Sequence, residues 1–194
     1  MLVLTQAHVN RLKKWLSIQS PTLEYISSFS VACGYVWSCI AKARARTGEQ
    51  KGDNDNDNDV EQFICPVDYR SRIHLRLPPT YSGNCVGPCI NTLTKRSLLA
   101  GNKGFQTAAE GLRACADDWG VWDPKDEGYE IDFGWGKPKK HETPSINYNG
   151  SISINASKDS PGDIEIGISL PANQMDAFIS ISRDELESNF YDQD

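Results

Sequence analysis

Few side chains in this sequence are suited to acid–base, nucleophilic or metal chemistry. Three histidines, His8, His74 and His141, are the only groups whose ordinary pKa places a charge change near neutrality. His8 falls in an amphipathic helical run. His74 and His141 stand beside strand and loop patterns. Each therefore reads as a solvated histidine before it reads as a base. The six cysteines are Cys33, Cys39, Cys65, Cys85, Cys89 and Cys115. Cys85 and Cys89 have a spacing that suits a metal, but no second Cys or His pair follows at ligand distance, so buried thiols are expected and no metal. No Gly-x-Ser-x-Gly turn offers a serine nucleophile, and nothing points to a Cys–His pair. The alternating Asp and Asn from Asp53 to Asp59 invites a calcium reading, which fails on inspection. Starting at Asp53, the glycine and the bidentate glutamate of an EF-hand loop would fall on Asn58 and Ile64. Starting at Asp55, they would fall on Val60 and Pro66. A self-repelling, disordered Asp/Asn loop over residues 49–59 is the expectation.

The elements that must position these groups follow from periodicity. Thr5 can cap a helix from about Gln6 to Leu16, with Val9, Leu12 and Leu16 on one face and a break over Ser17 to Pro21. Ser27 or Ser28 can cap a second helix, in which Phe29, Ala32, Cys33, Val36, Trp37 and Ile40 recur at helical spacing and Gly48 lies just past the end. Alternation of Phe63, Cys65 and Val67 predicts a strand, with Pro66 marking an edge or a bulge. A loop at residues 78–84 leads to a strand over Cys85 to Leu93. A helix then runs from about Lys103 to Ala116 with Phe105, Ala108, Leu112 and Cys115 inward, and Asp117 to Gly128 reads as irregular. Asn149-Gly150 between Ile146–Tyr148 and Ser151–Ile154 is a hairpin signal. A longer turn leads to Ile164, Ile166, Ile168 and Leu170 in alternation, and Pro171 opens a last helix with Met175, Phe178, Ile179 and Leu186 on its apolar side.

Bulk composition narrows the function classes. The chain has 194 residues, 39% of them hydrophobic and 24% charged, which fits one globular domain covering residues 1–194. A net charge of −6 argues against a nucleic-acid partner. The small basic clusters Arg11/Lys13/Lys14, Lys42/Arg44/Arg46 and Lys137/Lys139/Lys140 read as solvated, with a phosphate-rich small molecule left open as a partner for one of them. No apolar stretch approaches the length of a membrane span. Met1 to Thr5 does not read as a signal peptide. A cytoplasmic location is therefore expected, with reduced cysteines and with the sequons at Asn149 and Asn155 unglycosylated.

The most specific pattern is Asp132-Phe133-Gly134-Trp135-Gly136, inside Tyr129 to Pro138. It resembles the second signature of the plant BAHD acyltransferases, which are acyl-CoA-dependent. Val67-Asp68-Tyr69-Arg70-Ser71-Arg72 with Leu77-Pro78-Pro79 resembles that family's paired-arginine segment and proline loop. Tyr81-Ser82-Gly83-Asn84-Cys85 resembles its Tyr-Phe-Gly-Asn turn, and Gly162 to Leu170 its penultimate strand. The likeness runs from about Leu4 to Leu186 and corresponds to the carboxyl-terminal half of a usual member. Its wording is nearest to malonyltransferases acting on anthocyanin and other phenolic glucosides.

The resemblance implies an α/β fold of the CoA-dependent acyltransferase type, one mixed and mainly antiparallel sheet packed against helices. It implies transfer of an acyl group, malonyl in the nearest members, from CoA to a hydroxyl of a phenolic glycoside in plant specialised metabolism. Acyl-CoA would be a co-substrate, with no covalently bound cofactor. In the family two similar domains enclose a channel, and the histidine of a His-x-x-x-Asp motif in the amino-terminal half takes the acceptor's proton. Here Leu12, Pro78 and Ser145 stand four residues after the three histidines, so no such motif is present. Asp132 is implied to be structural, paired with Arg70 or Arg72, and Trp135 to be a packing residue. In the family CoA passes close to the helix that Ser27 or Ser28 begins here, so the resemblance makes those two serines candidate CoA contacts at a helix amino terminus. Two further departures are the short segment from Asp117 to Gly128 and Ser82 in place of the usual Phe. The expectation is a chain that is inactive alone. The alternative is a truncated, non-catalytic paralogue acting as a binding or regulatory partner that pairs with a full-length enzyme through the exposed domain face, and a fragment or mis-spliced product of a normal enzyme is the third reading. An amino-terminal half and self-association are the partners expected.

Overall fold

The computed structural model describes residues 1–23, 25–48, 59–68, 81, 83–119, 134, 136, 148–158, 160–188 and 190, with the side chains of Asp68, 115–119 and Ser188 excepted. Strand β1 (Leu2–Leu4) leads into helix α1 (Gln6–Gln19). The sequence reading missed β1, whose three residues are too few to show a period. Thr5 caps α1 as expected. Its side chain accepts from His8 N, and the His8 side chain in turn accepts from Thr5 N, closing a capping box with histidine in the place usually held by Glu or Gln. The helix runs three residues past the expected end, to Gln19. Pro21 restricts the residue just before it, so only Ser20 leaves helical geometry, while its N–H still donates to Leu16 O at 2.8 Å.

Helix α2 (Ser28–Thr47) begins at the cap Ser27, whose side chain accepts from Ser30 N, and ends at Gly48 with φ of 70°. Almost every residue from Ser30 to Ala43 is buried, so this helix is the centre of the fold. One row, Cys33, Trp37 and Ala41, packs with Phe63, Leu98, Ala108 and Leu112. The opposite rows, including Tyr35, Val36, Cys39 and Ile40, pack with Leu4, Leu12, Phe105, Ile166 and Phe178.

Strands β2 (Val60–Asp68) and β3 (Val86–Thr94) form an antiparallel pair. Pro66 lies directly opposite Pro88. The ladder is continuous through them, so Pro66 marks an edge position and no bulge. Odd-numbered side chains of this pair are the more buried, with Phe63, Cys65 and Leu93 packed in the cluster that holds Cys33, Trp37, Ala108 and Leu112, and Gln62, Ile64, Val86, Ile90 and Thr92 are exposed. A short helix α3 (Lys95–Leu98), absent from the sequence reading, precedes α4 (Asn102–Trp119). Phe105, Ala108 and Leu112 are buried as expected. The segment read as irregular is helical over Asp117–Trp119, and residues 120–128 lie outside the described residues.

Strands β4 (Ile152–Ala156) and β5 (Ile164–Ile168) pair with each other, and β1 pairs with the far edge of β5, giving the order β1-β5-β4. The Asn149-Gly150 turn forms, with Gly150 at φ of 86° and Ser151 N donating to Tyr148 O. The partner found for β4 is nevertheless β5; residues 146 and 147 lie outside the described set. Pro171 O accepts from Met175 N at the start of helix α5 (Ala172–Ser188). Phe178 and Leu186 are buried on it, while Ile179 is exposed, against expectation. The α/β class with antiparallel strands packed on helices holds. Among the described residues the strands make two sheets, of three and two strands, where one was expected.

Candidate functional site

The signature segment gives two described residues, Gly134 and Gly136, at φ of 93° and 92°. That region is strained for any residue with a Cβ, which explains the glycines of Asp-Phe-Gly-Trp-Gly by backbone geometry. Asp132, Phe133, Trp135, Arg70 and Arg72 lie outside the described residues, as do His74, His141 and the loop over residues 49–58.

Ser27 and Ser28 are both placed. Ser27 is buried; its Oγ lies 3.0 Å from both the backbone N and the Oγ of Ser30. Its side chain is thus engaged as a cap. Ser28 is half-buried in the first turn. Just before this cap, residues Leu23, Tyr25 and Ile26 face Lys13, Lys14, Leu16 and Ser17 of α1 across a shallow groove of about 280 Å³. Its lining is mainly apolar and includes the side chains of Lys13 and Lys14. The Lys13 ammonium stands 6.0 Å from the centre of the Tyr25 ring. Such a groove suits an anion carried on an apolar or aromatic body. The sequence showed the basic cluster; the apolar lining from Leu23, Tyr25 and Ile26 comes from the stretch after Pro21.

His8 is engaged structurally. Burial, then the nearby Arg11 charge, lower its pKa, and Asp163 opposes them in part. A neutral ring is what the capping box needs, since Nδ1 must accept from Thr5 N. Among the described residues no group of His, Cys, Asp and Glu is arranged to hold a metal ion.

Two polar clusters tie the helices together and were not legible in the sequence. Tyr35 donates to Ser182 O at 2.5 Å, and Lys42 pairs with Glu185 at 2.7 Å, joining α2 to α5. Burial pushes the Cys39 thiol and the Tyr35 hydroxyl well above their usual ranges, so neither is poised as a nucleophile. Ser20 at the end of α1 donates to Glu110 of α4 and accepts from Gln106. The cysteines depart from expectation in one respect. Cys33, Cys39, Cys65 and Cys85 are free thiols, but Cys89 is disulfide-bonded, and its partner lies outside the described side chains.

Comparison with known proteins bears on the fold and the family. The chain is 43% identical, over 96% of its length, to a malonyl-coenzyme A:anthocyanin 3-O-glucoside-6''-O-malonyltransferase of Dahlia pinnata, covering 45% of that protein. It is 36% identical over 78% of its length to phenolic glucoside malonyltransferase 1 of Nicotiana tabacum, covering 38% of that protein. It thus spans less than half the length of these two relatives. The crystal structure of F. sporotrichioides TRI101 complexed with coenzyme A and T-2 matches 92% of the chain and 47% of its own, with a TM-score of 0.62 at 15% identity, a likeness of fold. No helix among the described residues is long and apolar enough to cross a membrane. The model of the transferase family matches residues 3–110. With that match and the identity to the malonyltransferases, this chain belongs to the transferase family of BAHD acyltransferases.

Proposed function

We propose that the chain is the carboxyl-terminal half of an acyltransferase that moves malonyl from malonyl-CoA to a hydroxyl of a phenolic glycoside, and that it does not turn over alone. The identity of 43% to an anthocyanin malonyltransferase over nearly the whole chain carries this reading. The hydroxyl of such an acceptor ionises far above neutral pH, so attack on a thioester needs a base to take its proton. The one described histidine, His8, is occupied in capping α1. No histidine of the chain is followed at the fourth position by aspartate. The base therefore has to come from elsewhere. Asp132 has a structural role in this reading, held against Arg70 or Arg72, and the protein works in the cytoplasm.

The groove beside Lys13, Lys14 and Tyr25 supports contact with the anionic part of CoA, next to the Ser27 cap. Calorimetric titration with malonyl-CoA tests this. Binding that weakens at least tenfold in the Lys13→Ala/Lys14→Ala double variant is expected. Equal affinity in the two proteins would remove the groove from the site.

A second reading, a non-catalytic partner protein, is favoured by the outer face of the β2–β3 pair. Val60, Ile64, Val86 and Ile90 are 61%, 59%, 57% and 52% exposed there. Ile64 stands opposite Ile90 in the ladder. Apolar clusters of this kind on soluble proteins tend to meet partners.

A further inference from the structure

The groove beside Lys13 and Lys14 has two walls of different origin. Lys13, Lys14, Leu16 and Ser17 belong to α1, whereas Leu23, Tyr25 and Ile26 belong to the stretch that follows it. How the second wall stands against the first depends on where the chain leaves the helix. It leaves at Ser20, which is buried, with 6% of its surface exposed. Ser20 N donates to Leu16 O at 2.8 Å, and Ser20 O accepts from Leu23 N at 2.9 Å, so this residue joins the helix to the second wall. Its hydroxyl reaches a third element. Ser20 Oγ donates to Glu110 Oε1 of α4 and accepts from Gln106 Nε2 at 2.7 Å, while Gln106 Nε2 also donates to Glu110 Oε1 at 3.0 Å. The three side chains thus close a ring of hydrogen bonds. A carboxylate accepts and does not donate, so turning the Gln106 amide over would set its oxygen against Glu110. Gln106 and Glu110 are four residues apart on one helix, and α4 therefore presents them together.

We infer that Glu110 is a positioning residue for this groove: it holds Ser20, and through Ser20 the wall that carries Leu23 and Tyr25, in place against Lys13 and Lys14. The inference rests on the reading of the groove as a contact for the anionic part of CoA. Glu110 does not itself line the groove, so its effect on a ligand passes through Ser20. Two other contacts keep that effect local. The body of α1 is held to α4 separately, by Trp15 packing against Phe105 with ring centres 5.8 Å apart. Ile26, at the far end of the second wall, is anchored in the main apolar core. The ring therefore fixes what lies between, the exit of the chain from α1. Hydrogen bonds to a carboxylate are stronger than those between neutral groups, and a buried hydroxyl left without its acceptor is destabilised further. Removing the Glu110 acceptor frees the turn at Ser20 while the helices stay folded.

The test uses the full chain and its Glu110→Ala, Glu110→Gln and Ser20→Ala variants, with two readouts. Amide hydrogen exchange is followed by NMR at Leu23, whose N–H donates to Ser20 O, and at Val36 in the buried middle of α2. Binding of malonyl-CoA is measured by calorimetry. In Glu110→Ala and Ser20→Ala the Leu23 amide should exchange about tenfold faster with Val36 unchanged, and malonyl-CoA should bind about tenfold more weakly. Glu110→Gln keeps an oxygen acceptor for both donors, and should return both readouts to near the parent values. A role in overall stability alone would speed exchange at Leu23 and Val36 alike, and that result would overturn the inference. So would Leu23 exchange that matches the parent in Glu110→Ala and Ser20→Ala, or a Glu110→Gln variant no better than Glu110→Ala. Faster Leu23 exchange with undiminished malonyl-CoA binding would also overturn it. If the parent protein binds no malonyl-CoA, the groove fails as a CoA contact, and Leu23 exchange alone decides whether Glu110 holds the wall.

Discussion

His8 shows how one side chain can be read correctly as non-catalytic and still carry weight. Its Nδ1 accepts from Thr5 N only while the ring is neutral. Its folded pKa is lowered from 6.5, so the unfolded chain binds the proton more readily. The stability it contributes is fully present above pH 6.5 and is lost as pH falls through the lower folded value. Thermal melts from neutral pH down to the carboxylate range should therefore show a declining Tm that is flatter in His8→Gln. Gln keeps the capping-box acceptor and does not titrate. Identical pH dependence in the two proteins would show that His8 is unlinked to folding. Asp132 is a different case, since its role rests on the proposal of a buried pair with Arg70 or Arg72. Asp132→Ala would then strand a guanidinium and cost about 3–5 kcal/mol in a denaturant melt. An unchanged midpoint would reject the pairing.

Among the elements, the long amphipathic helices were legible because caps and period agree. Thr5, Ser27, Gly48 and Pro171 sit where the structure uses them. Boundaries failed at helix ends, in α1 beyond Leu16 and in α4 beyond Ala116, where no cap or period marks the last turn. Short elements such as β1 and α3 exist through their neighbours. Leu2–Leu4 is a strand because β5 offers it an edge. The partner of β4 was also hidden, since an Asn-Gly turn reports local chain reversal and cannot report which strand lies alongside. Close helix approach is equally silent in sequence. A Cβ on Gly34 of α2 would come within 2.7 Å of the Ala109 backbone nitrogen in α4. Backbone cannot swing aside as a side chain can. Gly34→Ala is expected to cost about 1–3 kcal/mol, read as a lower unfolding midpoint by urea. A variant as stable as the parent would mean that the two helices slide apart freely.

At the scale of the whole molecule, the family was legible from the run Asp132 to Gly136 together with the segments at 67–72, 81–85 and 162–170, while most of the candidate site was not. No histidine of the sequence is followed at the fourth position by aspartate, and a groove made by a loop returning over a helix leaves no periodic trace. The exposed row of Val60, Ile64, Val86 and Ile90 has a consequence for solution behaviour. Size exclusion with light scattering over a range of concentrations should show self-association, and the added charge of Ile64→Lys should reduce it. A monodisperse monomer at high concentration that binds no hydrophobic dye would show that this face needs no partner. The most direct measurement is acyl transfer itself: the purified chain is incubated with malonyl-CoA and a panel of phenolic glucosides, and products are followed by chromatography. Loss of general-base assistance alone lowers rate by about 10²–10⁴, so the predicted result is no malonylated product above background. Turnover within about tenfold of an ordinary malonyltransferase, inside that 10²–10⁴ margin, would contradict the account and require a base among this chain's own residues.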